Sequence, residues 1–365
     1  MSQKSNELKA QGIDIINLSV GEPDFFTPDH IKAAAKKAID DNFSFYSPVP
    51  GYMDLRKAIC AKLKNENHLD FTPEQIVVSN GAKQSICNAI LCLVDPGDEV
   101  IIPAPCWVSY VEMVKLAEGK SVVVPSTIDN DFKITPEQLE AAITPKTKLL
   151  IMPFPNNPTG AVMEKEDLEA IAEVLRDTNV LVLSDEIYAE LNYGLRPHVS
   201  IATLPGMAER TVVVNGFSKS YAMTGWRLGW LAAAAPVIAE IAKAHQYLVS
   251  SAVSFEMDAA ARALTVDPTP MLEVYRARRK RVLAALNAMG LDVVEPAGAF
   301  YAFPSIKQFG LTSEAFCIKA IKEANVALVP GDCFGTEGHI RLSYCVSDKD
   351  LDEGLHRLST FVSTL

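Results

Sequence analysis

The chain has 365 residues, enough for two domains or for one large fold with a smaller lobe. It carries 34 Lys and Arg against 45 Asp and Glu, a formal net charge of −11, with 48% hydrophobic and 22% charged residues. That balance excludes a disordered chain and argues against a dedicated nucleic-acid binder, which needs basic surface to displace phosphate counterions. No uncharged apolar run reaches the roughly 18 residues of a membrane span, and residues 1–7 lack a secretory apolar stretch. Seven scattered cysteines without a Cys-x-x-Cys pair read as reduced thiols of a cytoplasmic protein. The six histidines show no ligand spacing, so no metal site is expected.

In chain order, short aliphatic runs at 76–78, 99–102, 121–124, 148–152, 180–183 and 211–214 alternate with longer amphipathic segments. Leu168, Ile171, Ala172 and Leu175 recur at i, i+3, i+4 and i+7, one face of a helix. Strands without polar alternation, separated by helices, predict an α/β fold with a mainly parallel central sheet covered on both faces. A large domain over residues 43–269 is expected. Beyond it, Arg276, Arg278, Arg279, Lys280 and Arg281 predict a solvated face on a long helix leading to Gly290. Short strands at 299–303, 326–329 and 339–343 predict a smaller α+β domain of residues 270–365, joined by residues 1–42.

Ligands of parallel sheets bind beyond the carboxyl ends of the strands. After 76–78 comes Ser79-Asn80-Gly81-Ala82-Lys83-Gln84, with an apolar helix predicted from about Ser85. Small residues opening a helix leave free N–H groups suited to a phosphate, although a glycine there can serve turn geometry alone. After 148–152 comes a Pro/Asn turn whose Asn157 offers an amide that donates and accepts. Asp185 follows 180–183; in isolation it reads as a helix cap. The run from Asn215 to Arg227 places Lys219 among Phe217, Ser218 and Tyr221. A lysine in a turn is ordinarily a surface residue, but one withdrawn from water has a depressed pKa and can attack carbonyl carbon. Asn157, Asp185, Tyr188, Ser218, Lys219 and Arg227 fall at one edge of one sheet. Together they match pyridoxal 5′-phosphate: an aldehyde for the amine, a ring nitrogen for the carboxylate, a phenolic oxygen for amide or phenol, and a phosphate for hydroxyl and guanidinium.

Val20-Gly21-Glu22-Pro23-Asp24, Tyr46-Ser47-Pro48, the segment 155–160, the segment 184–188, Ser218-Lys219 with Gly225-Trp226-Arg227, and the segment 340–344 recur in the order of a known family. Over residues 12–360 the chain resembles the class I pyridoxal-phosphate aminotransferases of fold type I, particularly the bacterial aspartate aminotransferase branch. The resemblance implies that Lys219 bonds the cofactor aldehyde and then moves the substrate proton, with Asp185 keeping the ring nitrogen protonated. Asn157 and Tyr188 would hydrogen-bond the phenolic oxygen, and Trp107 would stack on the ring. Gly81, Ala82 and Lys83 at the helix start, with Ser218 and Arg227, would hold the phosphate, and Tyr46 would reach it from a second subunit of a homodimer. Arg341 would grip the substrate α-carboxylate beside Gly21, Trp107 and Asn157. Lys83 falls where that branch places a lysine for a distal carboxylate, which favours aspartate or glutamate with a 2-oxo acid acceptor. Cys106 stands where a bulkier aromatic residue is usual, so a different pocket wall is expected. An aromatic or broad-specificity aminotransferase and a C–S β-lyase use the same scaffold.

Overall fold

The computed structural model describes residues 7–8, 10–194 and 196–365. A short strand β1 (Ile16–Asn17) precedes a seven-stranded sheet of β2 (Ile76–Ser79), β3 (Glu99–Ala104), β4 (Lys120–Pro125), β5 (Thr147–Met152), β6 (Leu181–Asp185), β7 (Thr211–Gly216) and β8 (Gly229–Ala232). Their order is β2-β8-β7-β6-β5-β3-β4, parallel throughout except for β8, which runs antiparallel to both neighbours. The carboxyl ends of the six parallel strands therefore share one edge. Residues alternate between the faces: Val100 and Ile102 pack into one apolar cluster, Ile101 into another. Helices Ala82–Leu93 and Lys165–Leu175 cover opposite faces, as a sheet of aliphatic strands requires.

The chain closes with β9 (Tyr301–Ala302), β10 (Val326–Ala327), β11 (Val329–Pro330) and β12 (Ile340–Ser343). β12 lies between β11 and β9 in an antiparallel sheet, while β10 pairs with β1. Helix Asp29–Asp40 packs on helix Ser254–Ala263.

Several expectations need correction. β8 is not among the predicted strands, because only five residues, Leu228 to Ala232, separate Arg227 from Ala233 and none of them makes a β-branched run. The edge strand β4 is largely exposed rather than covered on both faces. The run 326–329 is not one strand: its halves join different sheets. The helix after β2 begins at Ala82, not near Ser85, because Gly81 at φ 88° caps it in a conformation that favours glycine. Finally, the arginine-rich helix Thr269–Ala288 is not a solvated face at Arg278, which is 5% exposed. Its guanidinium donates to both oxygens of Asp24 at 2.7 and 2.9 Å and to Asp348 at 2.8 Å.

Candidate active site

A cavity of about 650 Å³ opens at the carboxyl edge of the sheet, under the antiparallel sheet of β9, β11 and β12. Of the residues expected there, Gly21, Ala82, Lys83, Trp107, Asn157, Asp185, Tyr188, Ser218, Lys219, Arg227 and Arg341 all line it. Gly81 does not, but it supports the wall: a Cβ on it would strike the Arg227 guanidinium. Tyr46 lies outside and is 91% exposed. Cys106 is buried in the core, off the lining, so the expected change in pocket wall does not arise from it.

The floor comes from neighbouring strands. In register, Asp185 pairs with Val214, so Asp185 and the turn bearing Ser218 and Lys219 emerge side by side. Asp185 is 6% exposed; its carboxylate accepts from the Tyr110 hydroxyl at 2.7 Å and the Ile187 N–H at 3.2 Å. Burial raises its pKa to about 6, with Tyr110 working against the rise. A lower Asp185 pKa is expected beside a charged ring partner; in the chain by itself, burial dominates. The Lys219 amine donates to the Gly21 carbonyl at 2.6 Å, and loss of surrounding water lowers its pKa to about 8. It therefore holds a usable fraction of neutral amine near neutrality.

The Arg227 guanidinium donates to the carbonyls of Thr224 at 2.9 Å and Asn80 at 3.3 Å, beside the N-terminus of helix Ala82–Leu93. Gly229 lets β8 approach that N-terminus, since a Cβ there would meet the Gly81 carbonyl carbon at 2.6 Å. Lys83 reaches over the Trp107 ring, its Nζ 4.9 Å from the centroid.

The roof belongs to the C-terminal strands. Arg341, on β12 and 7% exposed, donates to Asn157 Oδ1 at 2.9 Å and to the Ser19 carbonyl at 2.8 Å, and lies 4.5 Å over the Tyr301 ring. Its buried Nε has no partner. Tyr188 and Tyr301 share a hydrogen bond of 2.9 Å between their hydroxyls. Tyr110 and Tyr301 are absent from the sequence reading. Tyr110 was detectable in principle, since it stands three residues after Trp107 and shares its side of the chain's next turn, with the rings 5.3 Å apart.

Neither Arg227 nor Arg341 has a carboxylate partner among the described residues. Two cavity-lining guanidinium groups without carboxylate partners, the exposed Arg227 and the buried Arg341, with a buried carboxylate and a partly desolvated amine make a cavity fitted to a dianionic, cationic-ring aldehyde and to a second anion. Pyridoxal phosphate fits that donor set. Residues 13–358 match the family model of aminotransferase class I and II. The chain belongs to the class I and II aminotransferases. It is a pyridoxal-phosphate-dependent transaminase of fold type I.

Among its relatives, a Bacillus subtilis protein described as a "Probable N-acetyl-LL-diaminopimelate aminotransferase" is 47% identical, over 99% of this chain and 92% of its own length. An aromatic-amino-acid aminotransferase 2 from Thermococcus litoralis is 45% identical, over 96% and 92%. The solved aspartate aminotransferase of Thermus thermophilus with maleate superposes with a TM-score of 0.95 at 39% identity, covering 99% of this chain and 95% of that one. Among the described residues no helix is long and apolar enough to cross a membrane, and no His/Cys/Asp/Glu group is arranged for a metal.

Proposed function

We propose that this cavity is the transamination site and that it favours aspartate or glutamate as amino donor, with oxaloacetate or 2-oxoglutarate as acceptor, in a ping-pong cycle. The observation that carries the site assignment is the convergence of Asp185, Lys219, Arg227 and Arg341 on one cavity. Bound pyridoxal phosphate supplies an aldehyde for the amino group and a ring that accepts the electrons freed at Cα. Asp185 would hold the ring nitrogen's proton; Asn157 and Tyr188 would bind the phenolic oxygen. Ser218, Arg227 and the backbone of Gly81, Ala82 and Lys83 would anchor the phosphate, and Trp107 would cover the ring. Lys219 Nζ would bond the cofactor and then take and return the Cα proton, which its lowered pKa suits. Arg341 would bind the α-carboxylate through its forked donors, which a lysine cannot match.

Lys83 on the cavity wall supports a dicarboxylic donor, as does the likeness to the Thermus enzyme. Trp107 and Tyr301 on the cavity lining, together with the Thermococcus relative, favour aromatic donors as the second reading. Lys83→Ala separates them: turnover of aspartate is expected to fall about 10-fold or more relative to alanine, the loss of one charge-assisted contact. Equal loss for both donors, measured as kcat/KM, contradicts the dicarboxylic reading. Pyruvate and ammonia as products, in place of a transferred amine, would reveal a β-lyase.

We infer further that residues 43–269 form the cofactor-binding domain and that residues 270–365 with 1–42 form the small one. The enzyme is inferred to be a cytoplasmic homodimer. Phe26, Phe45, Tyr46 and Tyr247 are each more than four-fifths exposed in the single chain, and such bare aromatic side chains support this reading. In such a dimer Tyr46 would complete the phosphate site of the partner. A monomer by sedimentation at micromolar concentration contradicts this arrangement.

A further inference from the structure

Lys219 sits in a segment with little regular backbone support. Between β7 and β8, Met223 N–H donates to the Ser218 carbonyl at 3.2 Å and Ala222 N–H to the Lys219 carbonyl at 3.5 Å. Ala222 lies in the left-handed region at φ 52°. Side chains from elsewhere add further fixings. The Thr27 hydroxyl donates to the Ala222 carbonyl at 2.6 Å, and the Ser220 hydroxyl donates to Glu190 Oε2 at 2.7 Å.

The Glu190 contact is unusual because an ion pair stands behind it. Glu190 Oε1 is 2.5 Å from Lys62 Nζ, with the two side chains 11% and 5% exposed. Lys62, on helix Met53–Asn67, also reaches Glu66 one turn further on. Burial works to raise the Glu190 pKa, and Lys62, the Ser220 hydroxyl and a backbone hydrogen bond together more than offset it, so the carboxyl is held below its ordinary value. A withdrawn ion pair is weak evidence for stability, since an apolar replacement of similar volume is often neutral or better. Its placement offers a different explanation. Glu190 lies two residues after Tyr188, in the turn that follows β6, and Ser220 one residue after Lys219, in the turn that follows β7.

We propose that the Lys62–Glu190–Ser220 link is a positioning device that fixes the Lys219 turn against the turn carrying Tyr188. It rests on the reading that Lys219 carries the cofactor, and it acts through backbone without touching cofactor or substrate. An ionised Glu190 gives Ser220 a charge-assisted acceptor, shorter and stiffer than a neutral one. Lys62 keeps that acceptor ionised and ties it to a helix outside both turns.

Ser220→Ala tests the link with little risk to folding, because it leaves the Lys62–Glu190 pair intact. In the purified holoenzyme the variant is expected to keep full cofactor content and a melting temperature within about 2 °C of wild type. Its kcat is expected to fall about 10-fold with KM changed less than about twofold, the signature of a displaced reacting group. The visible circular dichroism of the bound cofactor should change in intensity, and Ser220→Thr, which restores a hydroxyl, should recover both signals. Wild-type kcat and dichroism in Ser220→Ala overturn the proposal, as does a rise in KM alone. A wild-type holoenzyme whose cofactor is not on Lys219 overturns the underlying reading instead, before any variant is compared.

Discussion

The floor and the roof of the cavity are built by different means. Asp185, Ser218 and Lys219 stand at or just after the ends of β6 and β7, whose spacing is fixed by a parallel ladder buried on both sides. Gly21 comes from a loop and Tyr301 and Arg341 from a short antiparallel sheet, and single side chains tie these segments to the rest of the cavity. Asp24 is tied to Arg278, Arg341 to Asn157 and to the Ser19 carbonyl, and Gly21 to Lys219. Backbone ladders tolerate the loss of one side chain; tethers do not. Changes to the roof should therefore alter substrate affinity and the packing of these segments, whereas changes to the floor should alter cofactor chemistry.

The largest expected effect on the roof is Arg341→Lys. It retains charge but loses the fork, so kcat/KM for the amino donor should fall about 100-fold through KM, with cofactor content unchanged. Loss of cofactor in that variant would erase the distinction between floor and roof. Next comes Arg278→Met, which leaves Asp24 and Asp348 without their partner. Because Asp24 and Asp348 keep 23% and 62% exposure, losing these charged hydrogen bonds costs about 1.5–3 kcal/mol, read as a lower urea midpoint. An unchanged midpoint would mean that the Asp24 tether does not hold the segment bearing Gly21 in place.

The smallest effect probes the floor by pH. With a pKa raised to about 6, Asp185 is ionised above that value and protonated below it. Pyridoxal phosphate affinity should be full above about pH 6 and decline as pH falls through it, because the ring nitrogen loses its anionic partner. The same shift acts oppositely on the cofactor-free fold. Between 3.8 and about 6 the folded state binds a proton that the unfolded state lacks, so stability falls as pH rises through that window. Tyr110 works to lower the Asp185 pKa, so Tyr110→Phe should move the decline in affinity to higher pH. A titration unmoved by Tyr110→Phe would remove that hydroxyl from the account.

This division also explains what the sequence revealed. Floor residues follow uninterrupted aliphatic runs, so Asp185, Ser218 and Lys219 could be placed at one sheet edge from local pattern alone. The roof depends on pairings between distant segments. Val326-Ala327-Leu328-Val329 reads as one strand, yet it divides between a partner at residues 16–17 and another at 340–341. Arg278 reads as solvated because the pattern around it is uniformly basic; only the fold brings Asp24, 254 positions away, against it. Tyr110 was within reach of spacing arguments, but a tyrosine on an amphipathic helix ordinarily reads as core. Arg341 came from the resemblance, since a single arginine on a short strand carries no local signal of its role.

The central claim is that Lys219 is the amine that carries the cofactor. Loading the purified chain with pyridoxal phosphate, reducing it with borohydride and mapping the modified peptide by mass spectrometry tests this directly. The expected result is one stable adduct on Lys219, with Lys219→Ala giving none there and losing transamination by more than about 10⁴-fold. A principal adduct on another lysine, or full transamination in Lys219→Ala, would contradict it.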